Sequence, residues 1–333
     1  MFRYCFLPHF VILKVISMLL KKVLILSGVA LLTACGGGGD GGSSNVSSSS
    51  LSSSSSAISS SSSSESSSSS PVSAQVGSLV VVPVEGLQFT SGMVNGLTSS
   101  SGGFEYQDGE SVTFSIGDLR FPVVLGGEEV SPFTLAGAGD TDNRVALNIT
   151  RLLMALDEDN NTANGIQVPT SAADMATGLS VDWADTDFDT AVLNFAANAG
   201  GGGVLPSDQL ALEYLAQSLG GSADCSAHPQ AGTVANLITR AHAVEGSVTV
   251  VDDCTLLISH FSYDGGGLPD VYFYGTDSDT FTGGYTLGDN LFGQAYSDAT
   301  FIVSVSPSLS ASMRAISVWC LGVSVSFGDA AFE

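Results

Sequence analysis

The sequence predicts a mainly β protein with a small α+β part: a C-terminal antiparallel β-sandwich, preceded by a small β-sandwich plus a few helices. Three observations predict it. Apolar and polar residues alternate with period two in 103–106 and 111–116. Apolar residues then recur at helical spacing from Val145 to Leu156. Beyond Ser247, short apolar runs are divided by Gly, Asp and Ser clusters. Period two turns one side of a strand to a core and the other to water, whereas i, i+3, i+4 spacing lays an apolar stripe along a helix.

Taking the chain in order, Met18 to Cys35 carries the pair Lys21-Lys22, then an apolar run too short to span a bilayer, then small residues before a cysteine. That order marks a secretory signal rather than a transmembrane helix. Leu32-Thr33-Ala34-Cys35-Gly36 resembles the bacterial lipobox, which implies cleavage before Cys35, acylation of its thiol and a membrane-lipid anchor. Gly36, where an aspartate would retain the product in the inner membrane, implies an outer-membrane address facing the periplasm or the cell surface. Met1 to Ser17 reads as an upstream extension, so no role is expected of Cys5 or His9.

Four of the nine basic residues precede Cys35 and no acid does, so the mature chain carries five basic against 33 acidic residues, a net charge of about −28. Such a field repels nucleic acid and anionic lipid surfaces, which are excluded as partners apart from the anchor itself. From 36 to 70 the composition falls to glycine and then serine. With so little apolar surface to offset ordering entropy, residues 35–76 are a linker with a reach of about 30 Å or more.

Residues 77–220 form the first folded block. A valine-rich run over 77–84 opens it, and the alternating runs at 103–106 and 111–116 flank the turn Gln107-Asp108-Gly109-Glu110. Helical stripes follow at Val145, Ile149, Leu152, Leu153 and Leu156, and at Phe188, Val192 and Phe195. Leu210, Leu212, Tyr214 and Leu215 continue behind the capping candidate Ser207. The runs at 84–87, 103–106, 109–117 and 148–153, with Asp157-Glu158-Asp159 and Asn164-Gly165-Ile166, resemble a transthyretin-like module of bacterial surface lipoproteins. That resemblance carries no catalytic residues.

A boundary rich in Gly, Ser, Ala and Pro (221–238) leads to the last block, 239–333, where six runs are strand-like: 247–251, 254–261, 270–274, 300–305, 315–320 and 323–327. Strand parity groups Cys254 with Leu256 and Ile258, and Cys320 with Ile316 and Val318, so both sulfurs are expected inside the sandwich. Gly322 interrupts the last run and predicts a bend directly after Cys320. Three roles are open for the pair Cys254 and Cys320. They could form a buried disulfide, act as a reversible dithiol relay, or join His242 or His260 at a metal or haem. Asp252 and Asp253 would raise a nearby thiol pKa and so oppose thiolate chemistry. Cys225 could be free or could displace either cysteine, so three pairings are open.

The stretches His242 to Gly246, Val250 to Leu256, Phe261 to Asp270 with Tyr272 to Tyr274, and Ile316 to Cys320 with Ser326 to Asp329 resemble the DM-thirteen domain. That family is proposed to transfer electrons and accompanies haem-binding domains in some animal proteins. The resemblance covers about 240–331 and implies an electron-transfer module with a periplasmic or surface redox partner. It implies site roles for Cys254 and Cys320, and ligand or structural roles for His242, Tyr263, Asp264, Asp270, Trp319 and Asp329. Leu268 inserts into the family's Gly-Gly-Pro-Asp turn, and no haem-binding companion segment is evident. The alternative is a binding or adhesion protein presenting loops to a glycan or protein, its cysteines stapling the fold.

No Cys-x-x-Cys-His attachment or zinc spacing occurs, which argues against haem. Nucleophile elbows, phosphate loops and His-Glu-x-x-His are also missing, so the chain offers no enzyme frame. Asp157, Asp159 and Asn161 open with calcium-loop spacing, but Thr162 stands where glycine is needed and Val168 where glutamate is. The segment is therefore not an EF-hand. Calcium is a candidate ligand there, and a solvated helix cap is the alternative.

Overall fold

The computed structural model describes residues 74–201, 203–278 and 280–332. The signal, Cys35 and the polyserine stretch lie outside the described residues. No helix among the described residues is long and apolar enough to cross a membrane.

The first block contains β1 (Ala74–Leu79), β2 (Val84–Glu85), β3 (Gln88–Ser91), β4 (Val94–Leu97), β5 (Gly103–Gln107), β6 (Ser111–Ile116), β7 (Leu119–Arg120), β8 (Val124–Leu125), β9 (Glu129–Val130) and β10 (Ile166–Gln167). One sheet runs β5–β1–β9 and another β4–β3–β6–β7, with β8 also on β6. The alternation that predicts these strands is the one that buries them: Phe104, Tyr106, Val112, Phe114 and Ile116 all face the core. Phe104 meets Phe114 edge to face with ring centroids 5.0 Å apart. β10, which follows the longest helix, pairs in parallel with β2 as a separate two-stranded sheet.

That helix, Arg144–Leu156, starts where Asp140 accepts the backbone N–H groups of Val145 and Ala146, both at 2.9 Å. It buries Ile149, Leu152, Leu153 and Leu156 as the spacing predicts, and Ala146 rather than Val145 continues the stripe. Helix Asp208–Ser218 is capped by the Ser207 hydroxyl, which accepts from Leu210 N. Arg151, 7% exposed, ties the helices together. Its guanidinium donates to Pro206 O at 2.7 Å and lies 2.8 Å from Asp189 and 2.9 Å from Asp208.

The second block is an antiparallel sandwich of β11 (Val234–Asn236), β12 (Ile238–Thr239), β13 (Glu245–Val250), β14 (Thr255–Tyr263), β15 (Val271–Thr276), β16 (Tyr285–Leu287), β17 (Tyr296–Ser304), β18 (Ala315–Cys320) and β19 (Val325–Ala331). One sheet runs β11–β13–β14–β17 and the other β12–β19–β18–β15–β16. The boundary segment thus supplies an edge strand to each sheet, too short for any alternation to reveal. A turn at 321–324 follows Cys320 directly, and the β18–β19 register shifts between Val318 and Trp319.

β14 is covered on both faces. Leu256 and Ile258 pack into the sandwich core, whereas Leu257 belongs to the core of the first block. Asn143 Nδ2 donates to Thr249 Oγ1 and Gln209 Nε2 to Val251 O, both at 2.9 Å, across the same junction. A cleft of about 530 Å³ opens there, lined in part by Arg144, Asp208, Gln209 and Thr249, and no residue nominated from the sequence reaches it.

Candidate functional site

The sulfurs do not pair as strand parity suggests. Cys254 is bonded to Cys225, and Cys320 is a free, fully buried thiol. The cause is the position of Cys254 in the bend Asp252–Cys254, ahead of the ladder, where parity does not govern orientation. Cys320 lies instead toward the far end of β14, beside Tyr263. A nine-residue strand therefore separates the two cysteines, a span of about 30 Å at ~3.3 Å per residue. The expected relay or disulfide between Cys254 and Cys320 is excluded by that distance.

The Cys225–Cys254 bond fastens the boundary segment to the β13–β14 bend. Asp253 N donates to Ser226 O, and Ser226 N to Asp253 Oδ1, each at 2.9 Å. Asp252, Asp253 and the two sulfurs lie within 4.8 Å of one another. As a disulfide, those sulfurs are not thiolates, so the group lacks the thiolate ligands a soft metal requires.

Around Cys320 the sequence-nominated residues do converge. β15–β18 pairing sets Cys320 opposite Val271, and the Asp264–Asp270 loop closes over it with Leu268 O 3.9 Å from Sγ. Tyr263, 1% exposed, donates its hydroxyl to Gly266 O inside that loop. Burial, then the nearby Asp264 and Cys320, push its phenol up to about 12, so it stays protonated. His242 Nδ1 sits 3.1 Å from Asp264 Oδ1, and Gly266 N donates to the same oxygen at 2.7 Å. These contacts, the Gly266 amide first, hold the Asp264 carboxyl below its usual range. Glycine at 266 lets the loop approach the His242 ring and the Asp264 carboxylate, both of which a Cβ would displace. At 267 a Cβ would meet Phe327 at 2.7 Å, and φ is +99°. Phe327 in turn packs on His242, with centroids 4.3 Å apart. The result is a sealed thiol under a loop pinned by Tyr263 and the His242–Asp264 pair.

Other nominated residues lie outside this cluster. Trp319 takes the opposite parity to Cys320 and stacks on Tyr274, ring centroids 5.6 Å apart, on the outer face of its sheet. Asp329 holds Arg240 Nε at 2.6 Å and ties β12 to β19. Asp270 is exposed with φ +72°, and its carbonyl accepts from Leu321 N. His260 joins no cysteine: its Nδ1 meets Asp298 Oδ1 at 2.7 Å, at a bulge in β14 where φ is +53°. Sequence parity could not foresee that bulge.

Asp157 corrects the solvated-cap alternative. It is fully buried, and burial pushes its carboxyl above the ordinary range.

The family model described as Electron transfer DM13 matches residues 236–332. The matched stretch runs from the end of β11 through β19, so it contains Cys254, Cys320 and the whole loop cluster but not Cys225. No curated protein and no solved structure matches the chain.

Proposed function

We propose that the chain is an exported lipoprotein, held by lipid on Cys35 at the outer membrane, whose C-terminal sandwich exchanges single electrons with a periplasmic or surface partner. Cys320 is the sulfur concerned: the partner, a one-electron oxidant, takes an electron from its thiol while the thiol proton passes to solvent, and the reverse step restores the thiol. Tyr263 lies beside it, and Cys225–Cys254 is a staple. The observation that carries this reading is the electron-transfer family match over 236–332, which encloses a buried free thiol. Thiol–disulfide exchange requires one sulfur to touch another. A fully buried thiol cannot offer that contact, whereas electron exchange through a protein wall does not need it.

Protein-film voltammetry tests the reading. The wild-type chain gives a wave that Cys320→Ser loses, while reduction of the disulfide persists in both. Replacing the thiol by a buried hydroxyl costs on the order of 1–2 kcal/mol, so the variant stays folded. Identical voltammograms would exclude Cys320. The anchor has its own test: Cys35→Ser leaves the membrane fraction and enters the soluble one, and an unchanged membrane fraction rejects acylation there.

A second reading, a surface scaffold that binds a glycan or protein, is favoured by one observation. Among the described residues one sulfur is sealed and the other two are bonded to each other. Identical voltammograms would leave this reading in place.

A further inference from the structure

The helix Arg144–Leu156 ends at Asp157, and its last turn holds no basic residue. The C-terminal end of a helix presents unsatisfied carbonyls and a negative dipole end, which favours cations. Into this position the chain places a carboxylate rather than a cation. Asp157 is 0% exposed. One oxygen, Oδ1, accepts Gln167 N at 3.0 Å, and the other, Oδ2, is buried with no hydrogen-bond partner among the described residues. Gly201 packs over the loop so closely that a Cβ on it would approach Asp157 O to 2.5 Å and Glu158 O to 2.3 Å.

A buried carboxylate with one oxygen lacking a partner is costly as an anion, and either a proton or a bound cation relieves that cost. No Lys, Arg or His forms an ion pair with Asp157 or Asp159 among the described residues. Asp159 adds a second carboxylate two residues on, accepting Asn161 N at 2.9 Å and Asn164 Nδ2 at 2.8 Å. The donor set is carboxylate, amide and carbonyl oxygen, without sulfur or imidazole. Hard oxygen donors on an irregular loop suit calcium, whereas magnesium demands near-octahedral order and copper or zinc prefer nitrogen or sulfur.

We propose that this turn binds one calcium ion through Asp157, Asp159 and Asn161, a site separate from the Cys320 cluster. Without the glycine and glutamate of an EF-hand loop, its affinity falls in the range of extracellular calcium modules, a Kd of about 0.1–1 mM. An exported protein meets calcium at such concentrations.

The test uses the mature full-length protein. Relative to chelator, ~10 mM calcium raises Tm by about 5 °C, and Asp157→Asn loses that rise. Should Asp157→Asn not fold, Asp159→Asn serves instead and needs at least tenfold more calcium for the same rise. Terbium gives a second readout, because the Tyr214 hydroxyl lies 3.4 Å from Thr162 O and places a sensitiser beside the loop. Tyr214→Phe dims terbium emission excited at tyrosine while leaving the calcium-dependent Tm rise intact. A wild-type Tm indifferent to calcium overturns the proposal, as does a rise that survives Asp157→Asn. An equal rise with magnesium overturns the assignment to calcium.

Discussion

Reducing the Cys225–Cys254 bond, or replacing Cys225 by serine, is expected to destabilise the protein by about 3.5 kcal/mol and lower its Tm by roughly 10 °C. The magnitude comes from the sequence separation of 29 between the two cysteines: a bond closing such a loop restricts the unfolded chain, and that restriction disappears on reduction. The folded state should change little. β13 and β14 keep their antiparallel ladder, and the paired contacts between Ser226 and Asp253 remain. Far-UV spectra of oxidised and reduced protein should therefore coincide at low temperature while their melts separate. Proteolysis should begin in 221–233, the segment the bond ties down. Thermal melts with and without reductant decide the matter, and a reductant-insensitive Tm in a chain whose Cys225 and Cys254 are both alkylatable would reject the staple.

The pairing was out of reach of the sequence for a physical reason. Strand parity is a local rule, and it placed Leu256, Ile258, Ile316, Val318 and Cys320 in the core where they are found. Cys254 precedes its strand by one residue, and its partner comes from a Gly- and Ser-rich segment whose path depends on long-range packing. The same limit hid β11, β12 and β16, since two or three residues carry no period. The loop cluster was more legible. Resemblance to a known domain pointed at His242, Tyr263 and Asp264, and these do gather over the thiol, while Trp319 lies on the opposite face of its strand. The acids at 157 and 159 were visible from spacing alone. What spacing cannot give is burial, and burial turns Asp157 from a solvated cap into a carboxyl with one oxygen left without a partner among the described residues.

Leu257→Ala is expected to cost about 3 kcal/mol and to lower the melting of both blocks together, although the residue sits in a strand of the C-terminal sandwich. Leu257 is fully buried and packs with the apolar residues of the first block rather than with its strand neighbours Leu256 and Ile258. Truncating a buried leucine loses its transfer free energy and leaves a cavity, ~2–5 kcal/mol in all. Here that cavity opens at the junction, which polar contacts from Asn143 to Thr249 and from Gln209 to Val251 O also bridge. If the blocks share one core, they unfold as one cooperative unit. The two tryptophans report on them separately: Trp183 stacks on Phe121 within the first block, and Trp319 stacks on Tyr274 in the sandwich. In single-tryptophan backgrounds, Trp183→Phe and Trp319→Phe, the fluorescence melts should coincide before the Leu257 substitution and move down by the same amount after it. A Trp183 signal that holds its midpoint while the Trp319 signal shifts would mean that the sandwich unfolds alone, and the junction would then be a contact between independent domains.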